Sequence, residues 1–244
     1  MSNSSIDQDL ALVVRDKYGN QPPEDLSKDR ARLEAGEPLA YVIGWIPFLG
    51  LKIDLTGNPL IPRPETEFWT EELIAHLHER FGEKPFSLLD LCAGPGAIGL
   101  AVLAAFPHAR VSFGELRPVF ASLIQKNIEK NGLDASRATI HTSDLFEVFQ
   151  DEQFDVIATN PPYIPSTREL DDSVLKYEPH EALFSGADGL DLIRRIAVEV
   201  PKHLKEGGEV WMECDISNIE EAKSLFPRAT IRNDQYGRPR VVVA

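Results

Sequence analysis

Two short segments of the sequence carry residue types that could bind ligands and do chemistry. The first is the turn Cys92-Ala93-Gly94-Pro95-Gly96, which continues to Gly99 and fits the pattern G-x-G-x-x-G. Glycines let a turn tighten and let backbone N–H groups approach a ligand, and the following helix N-terminus adds partial positive charge. Glu115 ends the next predicted strand, where a carboxylate can accept ribose hydroxyl protons. The pattern predicts a nucleotide site, which could hold NAD, FAD or S-adenosylmethionine.

The second segment is Asn160-Pro161-Pro162-Tyr163, which follows an apolar run at 154–159. Ligands bind outside the carboxyl ends of strands in an open α/β sheet, so Asn160 should face the same crevice as the glycine turn. The prolines hold the chain stiffly and donate no hydrogen bond, whereas the Asn160 amide oxygen and the Pro161 carbonyl can accept one each. Tyr163 adds an aromatic face. The segment predicts a rigid pair of acceptors suited to an –NH2 group.

The elements that must position these segments alternate between apolar strands and helical patterns. Strands are predicted at 86–91, 110–115, 138–141, 154–159, 208–213, 229–232 and 239–243. Helices are predicted at 97–106, 118–131, 190–204 and 216–225. This alternation indicates an α/β fold with a doubly wound, mostly parallel seven-stranded sheet. The last two strands are too close in sequence for a parallel crossover, so we expect a C-terminal antiparallel hairpin.

The first part of the chain predicts smaller units. Residues 1–40 predict a short helical N-terminal cap, and residues 41–64 a linking β-hairpin with strands at 41–48 and 51–55. A helix at 65–81 then opens the catalytic domain, residues 65–244. The cap is too short to bury much surface alone, so we expect it to pack on the main domain.

The composition limits the classes of protein that need to be considered. The 244 residues are 43% hydrophobic and 26% charged, which is typical of a soluble globular protein. The net charge of −14 argues against binding nucleic acid by charge alone. Two distant cysteines, Cys92 and Cys214, are too few for a disulfide framework, and no ligand spacing suggests a metal. With no apolar run long enough for a membrane and no secretory signal, we expect a cytoplasmic protein, and a monomer by default.

The segments 90–99 and 160–163 together resemble Rossmann-type class I methyltransferases, which use S-adenosyl-L-methionine to methylate planar nitrogen. Ile61-Pro62-Arg63-Pro64-Glu65-Thr66-Glu67 is similar to the signature segment of the HemK/PrmC family. Members of that family methylate the side-chain nitrogen of the glutamine in the Gly-Gly-Gln loop of peptide chain release factors. Further matches lie at 36–41, 178–183 and 186–190.

The resemblance implies roles for individual residues. It implies cofactor contacts from Cys92, Ala93, Gly94, Pro95 and Gly96 to the methionine portion, from Glu115 to the ribose, from Asp144 and Leu145 to the adenine, and from Asn160. It implies that Asn160, Pro161, Pro162 and Tyr163 bind the substrate glutamine, with Asn160, Pro161 and Tyr163 as the catalytic set. It also implies that the cap helps to recognise the release factor and that the product is S-adenosyl-L-homocysteine.

Other charged residues have two interpretations each. Arg63, Glu65 and Glu67 either line the site, with Arg63 binding substrate, or the two glutamates favour the N-terminus of the next helix. Glu178, His180 and Glu181 follow the Asn160 turn, where loop charges are usually solvated.

The chain departs from the family pattern in three places. Cys92 replaces the usual glycine and should keep the turn only if its φ is negative, and Glu115 replaces the commoner aspartate. The helical N-terminal region is also about half the usual length for that family.

Three other functions remain open at this stage. A DNA adenine or RNA N-methyltransferase would share the Asn160 turn, because a flipped base also presents an exocyclic amine. A non-catalytic module could bind S-adenosylmethionine or a nucleotide. An NAD-linked oxidoreductase would share the glycine pattern, although no acid–base pair for hydride transfer is evident.

Overall fold

The computed structural model describes residues 3–244, so Met1 and Ser2 of the predicted cap lie outside the described residues. The helices are α1 (Asn3–Tyr18), α2 (Ser27–Glu34), α3 (Leu39–Ile43), α4 (Pro64–Phe81), α5 (Ala97–Ala105), α6 (Pro118–Lys130), α7 (Asp172–Tyr177), α8 (Asp191–His203) and α9 (Ile219–Ser224). The strands are β1 (Trp45–Phe48), β2 (Leu51–Asp54), β3 (Phe86–Leu91), β4 (Ala109–Glu115), β5 (Ala138–Thr142), β6 (Phe154–Thr159), β7 (Leu204–Glu213), β8 (Thr230–Asn233) and β9 (Pro239–Val243). Single 3-10 turns occupy Ala135–Arg137 and His180–Ala182.

The main sheet has seven strands in the order β5-β4-β3-β6-β7-β9-β8. Its pairs are parallel from β5 to β7, and β9 is antiparallel to both β7 and β8. The strand order reverses between β3 and β6, which leaves a crevice at their carboxyl ends. The predicted doubly wound sheet with a C-terminal antiparallel hairpin is therefore confirmed.

Both faces of the sheet are covered. Successive side chains of a strand point to opposite faces, and Leu88 of β3 belongs to one hydrophobic cluster while Leu89 belongs to the other. The first cluster includes α4, α5 and the hairpin β1–β2, and the second includes α8 and α9. This two-sided burial explains why the central strands read as continuous apolar runs in the sequence.

The segment Tyr41–Ile43 was predicted to be β structure, and this prediction is wrong. These residues belong to the one-turn helix α3, which starts after Pro38 and ends at Gly44. Gly44 has φ +92°, and its N–H donates to the Ala40 carbonyl at 2.8 Å. The left-handed glycine cap stops the helix, and the hairpin begins only at Trp45.

The hairpin β1–β2 is attached to the glycine turn through one buried side chain. Asn127 of α6 accepts the Asp54 N–H at 2.7 Å and donates to the Pro95 carbonyl at 2.9 Å. It is fully buried, so both ends of its amide are satisfied by backbone groups. No helix in residues 3–244 is long and apolar enough to cross a membrane.

Candidate active site

A cavity of about 340 Å³ opens at the carboxyl ends of the central strands. The predicted residues that line it are Cys92, Ala93, Gly94, Pro95, Glu115, Asp144, Leu145, Asn160 and Pro162. They lie at or just after the carboxyl ends of β3, β4, β5 and β6, so the ends of four parallel strands border one cavity. Gly94 and Asn160, predicted to face one crevice, both line this cavity.

A buried carboxyl group stabilises the glycine turn. Asp90 accepts the Gly99 N–H at 2.8 Å through Oδ2, and its Oδ1 has no partner among the described residues. Burial raises the pKa of Asp90 to about 8. Gly96, which is not part of the cavity lining, has φ +86° and precedes α5. A Cβ at Gly99 would meet the Phe113 ring at 2.3 Å, so the helix can approach the sheet only with glycine there.

Cys92 was predicted to keep the turn only with a negative φ, and this prediction is wrong. Its φ is +58°, the left-handed region that glycine adopts easily and cysteine does not. The turn therefore keeps its shape at the expense of local backbone strain. Burial raises the pKa of the Cys92 thiol to about 12, so the thiol stays protonated beside the cavity.

Glu115 is a buried carboxylate with both oxygens engaged by the backbone. Oε2 accepts the Gly94 N–H at 2.7 Å, and Oε1 accepts the Arg117 N–H at 2.9 Å. Burial raises its pKa, while these two hydrogen bonds act in the opposite direction. An acceptor fixed in this way can bind hydroxyl groups of a ligand without reorienting.

Asp144 and Leu145 form another part of the cavity wall, after β5. Asp144 Oδ2 accepts from the Arg195 guanidinium at 3.0 Å. Leu145 has φ +50°, and its carbonyl accepts from the Ser143 hydroxyl at 2.8 Å. Arg117 and Glu181, which form an ion pair, also line the cavity.

Asn160 lies where this cavity meets a second one. The second cavity, of about 260 Å³, is lined by Asn160, Pro161, Tyr163 and Arg63 among others, and it shares Asn160 with the first. Asn160 Nδ2 donates to Thr66 Oγ1 at 3.1 Å. Neither Asn160 Oδ1 nor the Pro161 carbonyl accepts a hydrogen bond from residues 3–244, so neither acceptor is occupied by a protein donor.

Sequence reasoning missed a buried carboxylate behind Asn160. Glu213, at the end of β7, is 1% exposed and accepts three hydrogen bonds. The donors are Thr66 Oγ1 at 2.7 Å, Trp69 Nε1 at 2.7 Å and the Tyr163 hydroxyl at 2.8 Å. Burial next to Glu213 raises the pKa of Tyr163 well above its usual value. Glu213 belongs to no sequence motif, so its position at the end of a predicted strand is the only sequence signal that it could be functional.

Glu178 was expected to be solvated, and this expectation is wrong. It is 4% exposed, pairs with Arg63 at 2.5 Å and accepts the Ile61 N–H at 3.1 Å. This pair ties the loop after Asn160 to the segment before α4 and holds Arg63 at the second cavity. His180 and Glu181, by contrast, are exposed as expected.

Glu65 and Glu67 line neither cavity in the described structure. Glu65 pairs with Arg238 at 3.2 Å, and Glu67 accepts the Leu49 N–H at 2.7 Å, which anchors the β1–β2 turn. Both lie in the first turn of α4, where negative charge stabilises the helix. These contacts agree with the helix-terminus interpretation rather than with site lining.

In the described residues 3–244 no group of three or more His, Cys, Asp or Glu side chains is arranged to hold a metal ion. The lining of the two cavities includes the carboxylates of Glu115 and Asp144, the amide of Asn160 and apolar side chains.

Comparison with known proteins identifies relatives over most of the chain. Residues 65–177 match the family described as "Methyltransferase small domain". The release factor glutamine methyltransferase of Geobacter sulfurreducens is 37% identical over 211 residues, which are 84% of this chain and 72% of that protein. The protein of the same name from Lactococcus lactis is 31% identical over 238 residues, which are 94% of this chain and 85% of that protein.

Solved structures share the fold at lower identity. A 16S rRNA methyltransferase of T. Thermophilus, in complex with AdoMet and guanosine, aligns with a TM-score of 0.58 at 20% identity, over 82% of this chain and 49% of that one. A methyltransferase from Pyrococcus furiosus aligns with a TM-score of 0.55 at 17% identity, over 89% and 98% of the two chains. These likenesses establish the class I methyltransferase fold.

Proposed function

This chain belongs to the release factor glutamine methyltransferase family, and we propose that it transfers a methyl group from S-adenosyl-L-methionine to the side-chain amide nitrogen of the glutamine in the Gly-Gly-Gln motif of a release factor. The observation that carries the proposal is Asn160, which lines both cavities and whose amide oxygen accepts no hydrogen bond from residues 3–244. One cavity suits the methyl donor and the other the acceptor side chain.

The first cavity fits S-adenosyl-L-methionine in its chemistry. Glu115 offers a fixed carboxylate for the ribose hydroxyls, the turn Cys92–Gly96 offers backbone groups for the methionine portion, and Asp144 with Leu145 offers a wall for the adenine. Bound there, the donor supplies a methyl group on a sulfonium, which is electrophilic without a metal. The carboxylates near the cavity also favour a cationic donor.

The acceptor nitrogen needs orientation, because its lone pair is delocalised into the amide. Asn160 Oδ1 and the Pro161 carbonyl each accept one N–H of the glutamine amide, which aims the nitrogen at the methyl group. The same acceptors stabilise the positive charge that develops on nitrogen during transfer. Tyr163, fixed by its hydrogen bond to Glu213, walls the second cavity and helps to exclude water.

The transfer needs no general base before the bond forms. A nitrogen–carbon bond forms as the carbon–sulfur bond breaks, and the products are the N-methylated glutamine and S-adenosyl-L-homocysteine. The nitrogen then carries an acidic proton, which leaves to solvent.

The partner in this proposal is a release factor, bound with help from the helical cap. Tyr177 of α7 donates to the Ala35 carbonyl at 2.9 Å, so the cap is tied to the loop that follows the Asn160 turn. Residues 1–40 and 41–64 remain a proposed cap and linker to the catalytic domain, 65–244. A cytoplasmic monomer without metal or nucleic acid completes the proposal, and the unpaired Cys92 and Cys214 are consistent with a reducing compartment.

The test is incubation of the full chain with S-adenosyl-L-methionine and a release factor, followed by mass spectrometry of the Gly-Gly-Gln peptide. We expect one added methyl group on the glutamine, and none on a release factor carrying Gln→Asn there. Methyl transfer to DNA or RNA in a parallel reaction, with none to the release factor, would support the nucleic-acid alternative instead.

A further inference from the structure

Thr66 and Glu213 form a hydrogen-bond chain that ends on Asn160. Glu213 accepts from the Thr66 hydroxyl at 2.7 Å, and Thr66 Oγ1 accepts from Asn160 Nδ2 at 3.1 Å. Thr66 is 4% exposed and Glu213 is 1% exposed, so the bond between them is shielded from water. The three residues are distant in sequence and come from α4, β7 and the end of β6.

The donors and acceptors of this hydrogen-bond chain can be arranged in one direction only. The Thr66 hydroxyl has a single proton, and it is donated to Glu213 Oε2. Thr66 Oγ1 can then serve Asn160 only as an acceptor, and it must face the –NH2 end of the Asn160 carboxamide. A reversed Asn160 would bring its oxygen against an oxygen with no proton left between them.

We propose that Thr66 and Glu213 are positioning residues that fix the Asn160 carboxamide with its oxygen toward the substrate. This inference rests on the proposed function. In this orientation the Asn160 oxygen accepts an N–H of the substrate glutamine. In the reversed orientation the Asn160 –NH2 would face that N–H, and two donors would oppose each other. Trp69 and Tyr163 hold the two oxygens of Glu213, so the carboxylate cannot turn away from Thr66.

The experiment compares three variants of the full chain. T66V removes the hydroxyl and keeps the shape of the side chain, and T66S keeps the hydroxyl. T70V is the matched control, because Thr70 lies one turn further along α4, is fully buried, and donates to the Thr66 carbonyl at 2.7 Å without touching Asn160. The measurements are single-turnover methyl transfer to a release factor and the Kd of S-adenosyl-L-methionine.

We expect T66V to slow the transfer by about tenfold or more while the donor Kd changes by less than about threefold. T66S should recover most of the rate, and T70V should keep it. A T66V rate within about threefold of the unaltered chain, an equal loss in T66S, or an equal loss in T70V would each overturn the proposal.

A second readout does not need activity. The one Asn160 side-chain N–H proton that is donated to buried Thr66 should exchange more slowly with solvent by NMR than the other proton of that –NH2 group, and it should exchange faster in T66V. Fast exchange in the unaltered chain would overturn the proposal even if T66V failed to fold. Slow exchange in a chain that methylates no release factor would refute the proposed function and leave the Asn160 orientation supported.

Discussion

The carboxylate of Glu115 accepts the backbone N–H of Gly94 at 2.7 Å, so the acid that faces the donor cavity also holds the glycine turn. The bond joins the carboxyl end of β4 to the turn after β3, two neighbouring strands of the sheet. One residue therefore links ligand binding to the shape of the turn.

Replacing Glu115 with Gln should weaken donor binding by about tenfold or more, because hydrogen bonds to a charged group contribute about 1.5–3 kcal/mol. Gln keeps one acceptor, for the Gly94 N–H, and loses the hydrogen bond from the Arg117 N–H, so the turn keeps one of its two bonds to this side chain and the fold should persist. Isothermal titration with S-adenosyl-L-methionine measures the change. E129Q, on the exposed face of α6, is the control, and equal donor affinity in E115Q and E129Q would exclude this role.

Removing the Asn160 side chain should slow single-turnover transfer by about tenfold or more, since one of the two acceptors that orient the substrate amide is lost. The donor Kd is measured in parallel to separate binding from transfer. N131A removes a comparable amide at the end of α6, where it bonds to Lys52, and should keep the rate. A loss below about tenfold would remove Asn160 from the proposed role.

Substitution of Cys92 tests the backbone strain. At φ +58° glycine is unstrained and alanine is not, so C92G should be more stable than C92A by about 1 kcal/mol. At the neighbouring Ala93, which lacks a positive φ, A93G should instead lose about 0.5–1 kcal/mol. Urea unfolding gives both values, and a C92G less stable than C92A would contradict the strain.

Stability should depend on pH through Asp90. Its pKa is about 8 in the folded chain and near 4 when unfolded, so the folded state holds a proton that the unfolded state releases. The stability that Asp90 contributes is present below about pH 4 and is lost as pH rises toward 8. D90N cannot ionise, so its melting temperature relative to the unaltered chain should rise from pH 5 to pH 8. A constant difference across that range would mean that Asp90 is ionised in the folded chain.

The sequence predicts the strands that carry the site better than it predicts the side chains behind it. β3 and β6 begin and end at the predicted residues, because continuous apolar runs bounded by turn residues leave little choice of register. The β prediction for Tyr41–Ile43 is wrong because the helix cap at Gly44 outweighed the β propensity of these three residues. Local propensity is weak compared with a fixed terminus.

The side chains behind the site could not be predicted because they make contacts between residues that are distant in sequence. Thr66 meets Glu213 across 147 positions, and Ile61 meets Glu178 across 117. Ile61, Thr66 and Glu178 lie in segments that resemble the family, but nothing in the sequence shows which residue each contacts. The contacts depend on how α4 and the loop after β6 lie over the sheet. Buried carboxylates of this kind become visible only when the fold brings their donors together.

Asn127 has a practical consequence for anyone who would shorten this enzyme. A chain trimmed to the sheet and its flanking helices would lose Asp54, one of the partners of that buried amide, and would bare the core that Phe48 and Ile53 cover. The leftover polar group and the uncovered apolar surface would both favour aggregation. A miniature version must therefore retain the hairpin, although the hairpin contributes no strand to the main sheet.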